Sequence, residues 1–355
     1  MKSLLKHLSP FAPDQSGAVS AHFDFGGLIV ICDAGGCTGN ICGFDEPRWF
    51  IHKSAVFSAG LRDMDAILGR DDRLVSKLQS AMDGSGLKFS AIIGTPVPAI
   101  IATDFKALKR MAEKRTGLPA ITVPTTGTRH YDRGASDAWL ELFRTFATEK
   151  IAIDPGTVGV LGASPLDFPT LDAGNLLSAA LKKDGWNTVK CYGMGAGLDD
   201  VRAASAAAKN IVVSPAGLAA ARYLQKTFGT PYEVQCPWLP TQVLDALPSL
   251  AGKKTLVIHQ QFAANAVRDA ILKHDPASQV TVASWFMMEP EFMRENDFHI
   301  ESEESFIEAV ANGVYDAVVC DSRLRVALPR TQDFNILDFP HFAVSGRLLD
   351  KEEFT

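Results

Sequence analysis

Short apolar, β-branched runs alternate with amphipathic segments along the whole chain, and that rhythm limits the possible folds more than any other feature. Residues 28–32, 89–93, 120–123, 157–161, 188–192, 211–213, 255–259, 280–283 and 317–320 read as strands. Most are apolar throughout, the pattern of strands covered on both faces. Between them, residues 72–82, 104–115, 136–148, 173–184, 215–228, 263–274 and 304–312 repeat apolar positions at helical spacing. This alternation predicts an α/β architecture of parallel sheets flanked by helices. Breaks at 150–156 and 247–253 each precede a fresh strand, so the expected units are 1–150, 151–250 and 251–355. A chain of 355 residues is longer than one hydrophobic core usually serves, which agrees with that division.

Composition then removes several function classes. The net charge is −6, the basic residues are scattered, and no nucleic-acid partner is expected. The first ten residues lack the apolar core and cleavage site of a secretory signal, and no apolar run approaches the ~20 residues that span a bilayer. A cytoplasmic protein without a membrane partner is therefore expected. No G-x-x-x-x-G-K-[ST] loop is present, and the glycines at 193, 195 and 197 lack G-x-G-x-x-G spacing, so a sharp turn explains them more simply than a nucleotide site.

The segment from Val30 to Asp45 carries the most chemistry. Three of the six cysteines, Cys32, Cys37 and Cys42, fall within it. In a reducing compartment such thiols are more often free or metal-bound than paired in disulfides. Gly35 and Gly36 precede Cys37 and let backbone approach a bulky ligand. The C-x4-C-x4-C spacing matches no standard ferredoxin or zinc pattern, so on spacing alone a metal site and a packed thiol loop are both open. Ligands of open α/β sheets lie beyond the carboxyl ends of the strands. That rule adds His259, Trp285, Asp321 and the nearby His341 to the residues of interest. Cys191, Cys320 and Cys236 read chiefly as core or loop thiols.

Asp33-Ala-Gly-Gly-Cys-Thr-Gly39 resembles the strand–GxxGC loop of nitrogenase component 1 type oxidoreductases. Ile93-Gly-Thr-Pro-Val-Pro-Ala-Ile-Ile-Ala-Thr-Asp104 and Gly117-Leu-Pro-Ala-Ile-Thr-Val-Pro-Thr-Thr-Gly127 are similar to two further stretches of that family. The resemblance implies three Rossmann-like domains, an iron–sulfur cluster at Cys37, and an interdomain cleft for a small-molecule substrate or metallocofactor beside His259 and Trp285. It further implies low-potential electrons from a separate ATP-dependent iron protein.

The chain also departs from the family pattern. Of three cysteine places at the electron-entry cluster only Cys37 matches; the upstream place falls near 11–14 and Thr95 occupies the third. No cysteine stands near Val213 and Ser214, where true nitrogenase ties its active-site cofactor, so a molybdenum–iron cofactor held that way is not expected. A [4Fe–4S] cube needs four ligands, and two per chain suffice if it lies on the axis of a homodimer. Cys37 with Cys42, or Cys37 with Cys32, would supply them, and Asp33 offers an oxygen. Asp45, Glu46 and Arg48 are expected either to rim a reductase-docking surface or to cap a helix. A non-catalytic scaffold for metallocofactor assembly is the alternative to a reductase.

Overall fold

The computed structural model describes residues 5–51, 54–313, 315–331, 333–341 and 343. The first four residues and the stretch 344–355 of the third predicted unit lie outside them. The strands are β1 (Leu28–Ile31), β2 (Ala55–Ser58), β3 (Ser90–Ile93), β4 (Ala120–Val123), β5 (Asp154–Leu161), β6 (Thr188–Cys191) and β7 (Ala207–Val212). β8 (Tyr232–Val234), β9 (Lys254–Ile258), β10 (Gln279–Ser284), β11 (Phe298–His299), β12 (Ala317–Cys320) and β13 (Ile336–Asp338) follow. They form three sheets, ordered β2-β1-β3-β4, β6-β5-β7-β8 and β11-β10-β9-β12-β13. Every pairing within these sheets is parallel. All nine predicted strands are present.

The four unpredicted strands, β2, β8, β11 and β13, share one property: each is a sheet edge. Their residues are mostly half-exposed rather than buried. An edge strand packs weakly on its outer side, so its sequence need not carry the continuous apolar run that marks an interior strand.

Both faces of the first sheet are covered. Leu28, Val30, Ile92 and Ala120 pack under helices Asp71–Met82 and Phe105–Thr116 through Leu74, Leu78, Leu108 and Ala112. Ile29, Ile31, Ile93 and Val123 point the opposite way, onto helices Asp14–His22 and Tyr131–Phe146. Helix Tyr131–Phe146 also meets the second unit, because the same core takes in Leu161, Val212 and helix Leu218–Phe228. Helix Gln261–His274 joins the second and third sheets, packing Val267 and Ile271 among Val158, Val257 and Val282.

Helix Asp14–His22 escapes a periodicity reading because all nine of its residues are buried, leaving no polar face to mark its turns. It crosses helix Tyr131–Phe146 backbone against backbone. A Cβ at Gly17 would stand 1.8 Å from the Tyr131 carbonyl oxygen, and one at Gly134 would stand 1.8 Å from the Asp14 carbonyl oxygen. No side chain can swing away to relieve either clash. Gly17→Ala and Gly134→Ala should each cost about 1–3 kcal/mol or more, the range for overpacked interiors. Urea midpoints equal to wild type would show that the crossing tolerates a methyl group.

Candidate functional site

The cysteine loop leaves β1 at the carboxyl edge of the first sheet. Strand alternation sends Leu28, Val30 and Cys32 to one face, and Cys32 ends 1 % exposed in the core beneath helix Asp71–Met82. Cys37 packs against the core on the other face of that sheet. Gly35 turns the chain at φ 124°, a conformation only glycine adopts readily, and opens the short helix Gly36–Asn40 that carries Cys37. That helix runs into a π-helical turn, Ile41–Asp45, which carries Cys42. Cys37 and Cys42 are both half-buried. Nothing lies within 4 Å of a Cβ built at Gly35, Gly36, Gly39 or Gly43, so the loop borders open space.

Asp33 braces the loop. Its carboxylate accepts from the Thr38 amide (2.8 Å), the Thr38 hydroxyl (3.0 Å) and the Ser58 hydroxyl (2.6 Å). Burial raises all three nearby thiols, helped by Asp33: Cys37 upward, Cys42 to about 11 with Glu46 also contributing, and Cys32 to about 12 with Asp71 contributing as well. At neutral pH these are thiols rather than thiolates.

The two unmatched cysteine places have structural occupants. The Thr95 hydroxyl donates to the Cys32 carbonyl at 2.6 Å and ties the end of β3 to that of β1. Asp14 accepts from the Thr126 amide (3.0 Å), the Gly127 amide (2.7 Å) and Arg129 Nε (3.1 Å), pinning the loop after β4. Among the described residues, no three His, Cys, Asp or Glu side chains come together as a metal-holding group.

The expected docking rim is not a rim. Asp45, Glu46 and Arg48 are 1 %, 1 % and 5 % exposed. Glu46 takes the capping role, accepting from the Arg48 amide at the start of the turn Pro47–Phe50. The Arg48 guanidinium donates to both Glu46 oxygens (2.7 and 2.8 Å), to Asp24 (2.6 Å), to the Ser20 carbonyl (2.8 Å) and to the Gly193 carbonyl (2.8 Å). Burial alone would lower its pKa, but the flanking Glu46 and Asp24 outweigh that and raise it. The glycine-rich turn is thus an acceptor for Arg48, with Gly193 at φ 95° and Gly195 at φ 119°. Arg48 links the cysteine loop, helix Asp14–His22 and the second unit.

The segments at the carboxyl edge of the first sheet expose many apolar side chains. Ten of the fourteen exposed large apolar side chains among the described residues lie between Phe44 and Ile101, on β2 and the segments that follow β1, β2 and β3. They include Phe50 (64 %), Ile67 (73 %), Leu68 (61 %) and Ile100 (83 %). A monomer seldom leaves so much apolar surface together without a partner for it.

A second cluster lies where the units meet. His259 follows β9, Trp285 follows β10, Asp321 follows β12 and His341 lies beyond β13, all at carboxyl ends as the strand-end rule requires. His259 and His341 stack with ring centroids 4.1 Å apart, and His259 also stacks on Phe339 at 4.1 Å. His259 Nε2 lies 3.3 Å from the Pro340 carbonyl, the contact of a hydrogen-bonded strand-end histidine. Burial pushes the His341 imidazole down to about 3 and, with His341 beside it, lowers His259 well below its usual range, so both rings are neutral. Two members were not legible in the sequence. Tyr131 heads its helix and Asp167 lies in the loop beyond β5, past the positions the strand-end rule marks. The Tyr131 hydroxyl donates to Asp167 Oδ1 at 2.5 Å and lies 2.9 Å from His341 Nε2. His259, His341, Trp285 and Asp321 border a cavity of about 20 Å³, room for a single water.

Burial raises the Asp167 carboxyl to about 7. The folded chain therefore keeps a proton that the unfolded chain releases near pH 4, and stability falls as pH rises between those values and then levels off. Asp167→Asn should remove that penalty, gaining on wild type by about 1.4 kcal/mol per pH unit across the window. A wild-type-to-variant difference in urea stability that is the same at pH 4.5 and pH 8 would refute the assignment.

The sequence profile of the family described as "Nitrogenase component 1 type Oxidoreductase" matches residues 16–256. Solved structures that share the fold include the following two. "Nitrogenase Cp1 at pH 6.5" superposes at a TM-score of 0.71 and 11 % identity, covering 97 % of this chain and 90 % of that one. "Nitrogenase Cp1 at pH 5" does so at 0.66 and 12 %, covering 90 % and 81 %. No curated protein matches the chain. Three parallel sheets, a glycine-flanked cysteine after β1 and a profile match over more than half the length lead to one assignment: the chain belongs to the nitrogenase component 1 type oxidoreductase family.

Proposed function

We propose that this chain is a nitrogenase-like iron–sulfur component that works as a homodimer. It holds a [4Fe–4S] cluster through Cys37 and Cys42 of each protomer and accepts low-potential electrons from a separate ATP-dependent iron protein. It reduces a small molecule in the cleft where the units 1–150, 151–250 and 251–355 meet, beside His259 and Trp285. The carrying observation is a pair of half-buried thiols at a sheet edge whose segments expose large apolar side chains. Among the described residues one chain offers two half-buried thiols there and no group of three metal-ligating side chains. A cube needs four, and a twofold axis at that edge doubles the supply while covering the exposed apolar side chains. Cys32 is the weaker partner for Cys37, being sealed in the core on the opposite face of the sheet. Asp33 is a poor oxygen donor because its carboxylate is committed to Thr38 and Ser58. The cluster, when bound, supplies one-electron chemistry. Gly35 and Gly36 leave its approach clear, and the buried Arg48 network holds the loop in place.

Two readings of the site remain chemically distinct. A reductase keeps its cluster through turnover, whereas a scaffold surrenders it to an acceptor. Two thiols per chain at an exposed edge is a ligand-poor arrangement that suits cluster release, which keeps the scaffold reading in play.

Anaerobic reconstitution of the full chain should yield brown protein with about four irons per two chains, dimeric by light scattering. Cys37→Ser and Cys42→Ser should each abolish the colour, and Cys191→Ser, in the core, should not. Iron loading should improve from pH 7 towards pH 9, because iron must displace protons from thiols whose pKa values are raised. Colourless wild type, or an iron-loaded monomer, would overturn the proposal. Transfer of the intact cluster to an acceptor, with no electron uptake from an iron protein, would establish the scaffold instead.

A further inference from the structure

Asp167 is 2 % exposed, and its two oxygens have different surroundings. Oδ1 takes the Tyr131 hydroxyl hydrogen bond and lies 3.5 Å from His341 Nε2. Oδ2 is sealed from solvent without a hydrogen-bond partner among the described residues. Tyr131 is itself 0 % exposed, whereas His341 is 6 % exposed and borders the water-sized cavity. Among the described residues, the hydrogen-bonded route from Asp167 to that cavity runs through Tyr131 and His341. The cavity wall carries two further unpartnered polar atoms, His259 Nδ1 and Trp285 Nε1, on side chains 2 % and 4 % exposed. Together they offer an acceptor and a donor to one small polar occupant.

We propose that Asp167, Tyr131 and His341 form a proton relay that delivers protons to a water in the cavity between His259 and Trp285. Asp167 is the proton source and Tyr131 and His341 the carriers. With the Tyr131 hydroxyl turned to His341 Nε2 and the proton of Asp167 on Oδ1, one O–H bond breaks at Asp167 and one forms at the Tyr131 oxygen as Tyr131 passes its own proton to His341 Nε2. His341 then releases a proton from Nδ1 to the cavity. Asp167 is left a carboxylate, and no electrons move within the relay. The groups facing Asp167 are Tyr131, His341 and the Cys236 thiol, with Asp132, His259 and Asp321 in the next layer. Both histidines are neutral and none of these groups is a cation, so nothing nearby forces the carboxyl to ionise. The use of such a relay rests on the reductase reading above, since each electron added to a substrate must be balanced by a proton.

Infrared difference spectroscopy of the full chain tests the relay without substrate or cluster. At pH 6 wild type should show the carbonyl stretch of a protonated buried carboxyl, lost with a midpoint near neutral pH and absent from Asp167→Asn. On transfer to D₂O the band should shift within the mixing time. In Tyr131→Phe and in His341→Gln that shift should slow by roughly tenfold or more, towards the rate of local unfolding. Should one carrier variant fail to fold, the other decides the point. A carboxylate already ionised at pH 6, or exchange equally fast in wild type and both carrier variants, would overturn the relay. Running the same samples with and without iron separates the two claims. A chain that never binds a cluster defeats the reductase reading, while the exchange rates still decide whether protons travel this path.

Discussion

The contact between helices Asp14–His22 and Tyr131–Phe146, closed to backbone distance at Gly17 and Gly134, fixes the relation of the first two units. Two helices approach this closely only where neither carries a side chain at the crossing. The consequence is a core with no seam: Ile29 and Val123 of the first sheet, Trp139 and Leu142 of the shared helix, and Leu161 and Val212 of the second sheet belong to one buried cluster. The same crossing sets both chemical regions. Asp14, at the head of one helix, pins the loop after β4, and Ser16 donates to Asp45 at the end of the cysteine loop. Tyr131, at the head of the other, reaches Asp167 and His341.

Arg48 extends this frame to the cysteine loop. A buried guanidinium costs several kcal/mol to desolvate unless its donors are met, and here Glu46, Asp24 and two carbonyls meet them. The arrangement stiffens a segment that would otherwise be a long glycine-rich excursion. It also explains why charges that look like a docking surface in sequence are absent from the surface. In a loop, Asp-Glu-Pro-Arg-Trp is ambiguous between a solvated patch and a folded knot. Which one forms depends on whether another unit supplies acceptors, and the Gly193 carbonyl comes from 145 residues away.

That dependence on distant partners separates what was legible in the sequence from what was not. Interior strands were legible because burial on both faces is written into each strand's own residues. β2, β8, β11 and β13 were not, since half-exposed edges such as Tyr232–Val234 carry no apolar run. Helix Asp14–His22 failed for the opposite reason, complete burial. In the candidate sites, Cys37, Cys42, His259 and Trp285 stood out through residue type and strand-end position. Tyr131 and Asp167 did not, because a tyrosine heading a helix and an aspartate inside a loop acquire chemistry only when the fold brings them to 2.5 Å.

The two regions differ in the environment each gives its ionisable groups. At the cysteine loop the thiols are only half-buried and border open space. At the junction of the units the groups are almost wholly enclosed, both histidines are neutral, and the Asp167 carboxyl holds its proton up to about pH 7. A site of the first kind suits exchange with other macromolecules, which must reach it. A site of the second kind suits proton handling, because a low-dielectric enclosure keeps a carboxyl protonated until a specific acceptor arrives. A reductase needs both. Both sit beside one helix crossing, the carboxyl enclosed behind Tyr131 and the half-buried thiols on the loop that Ser16 anchors through Asp45.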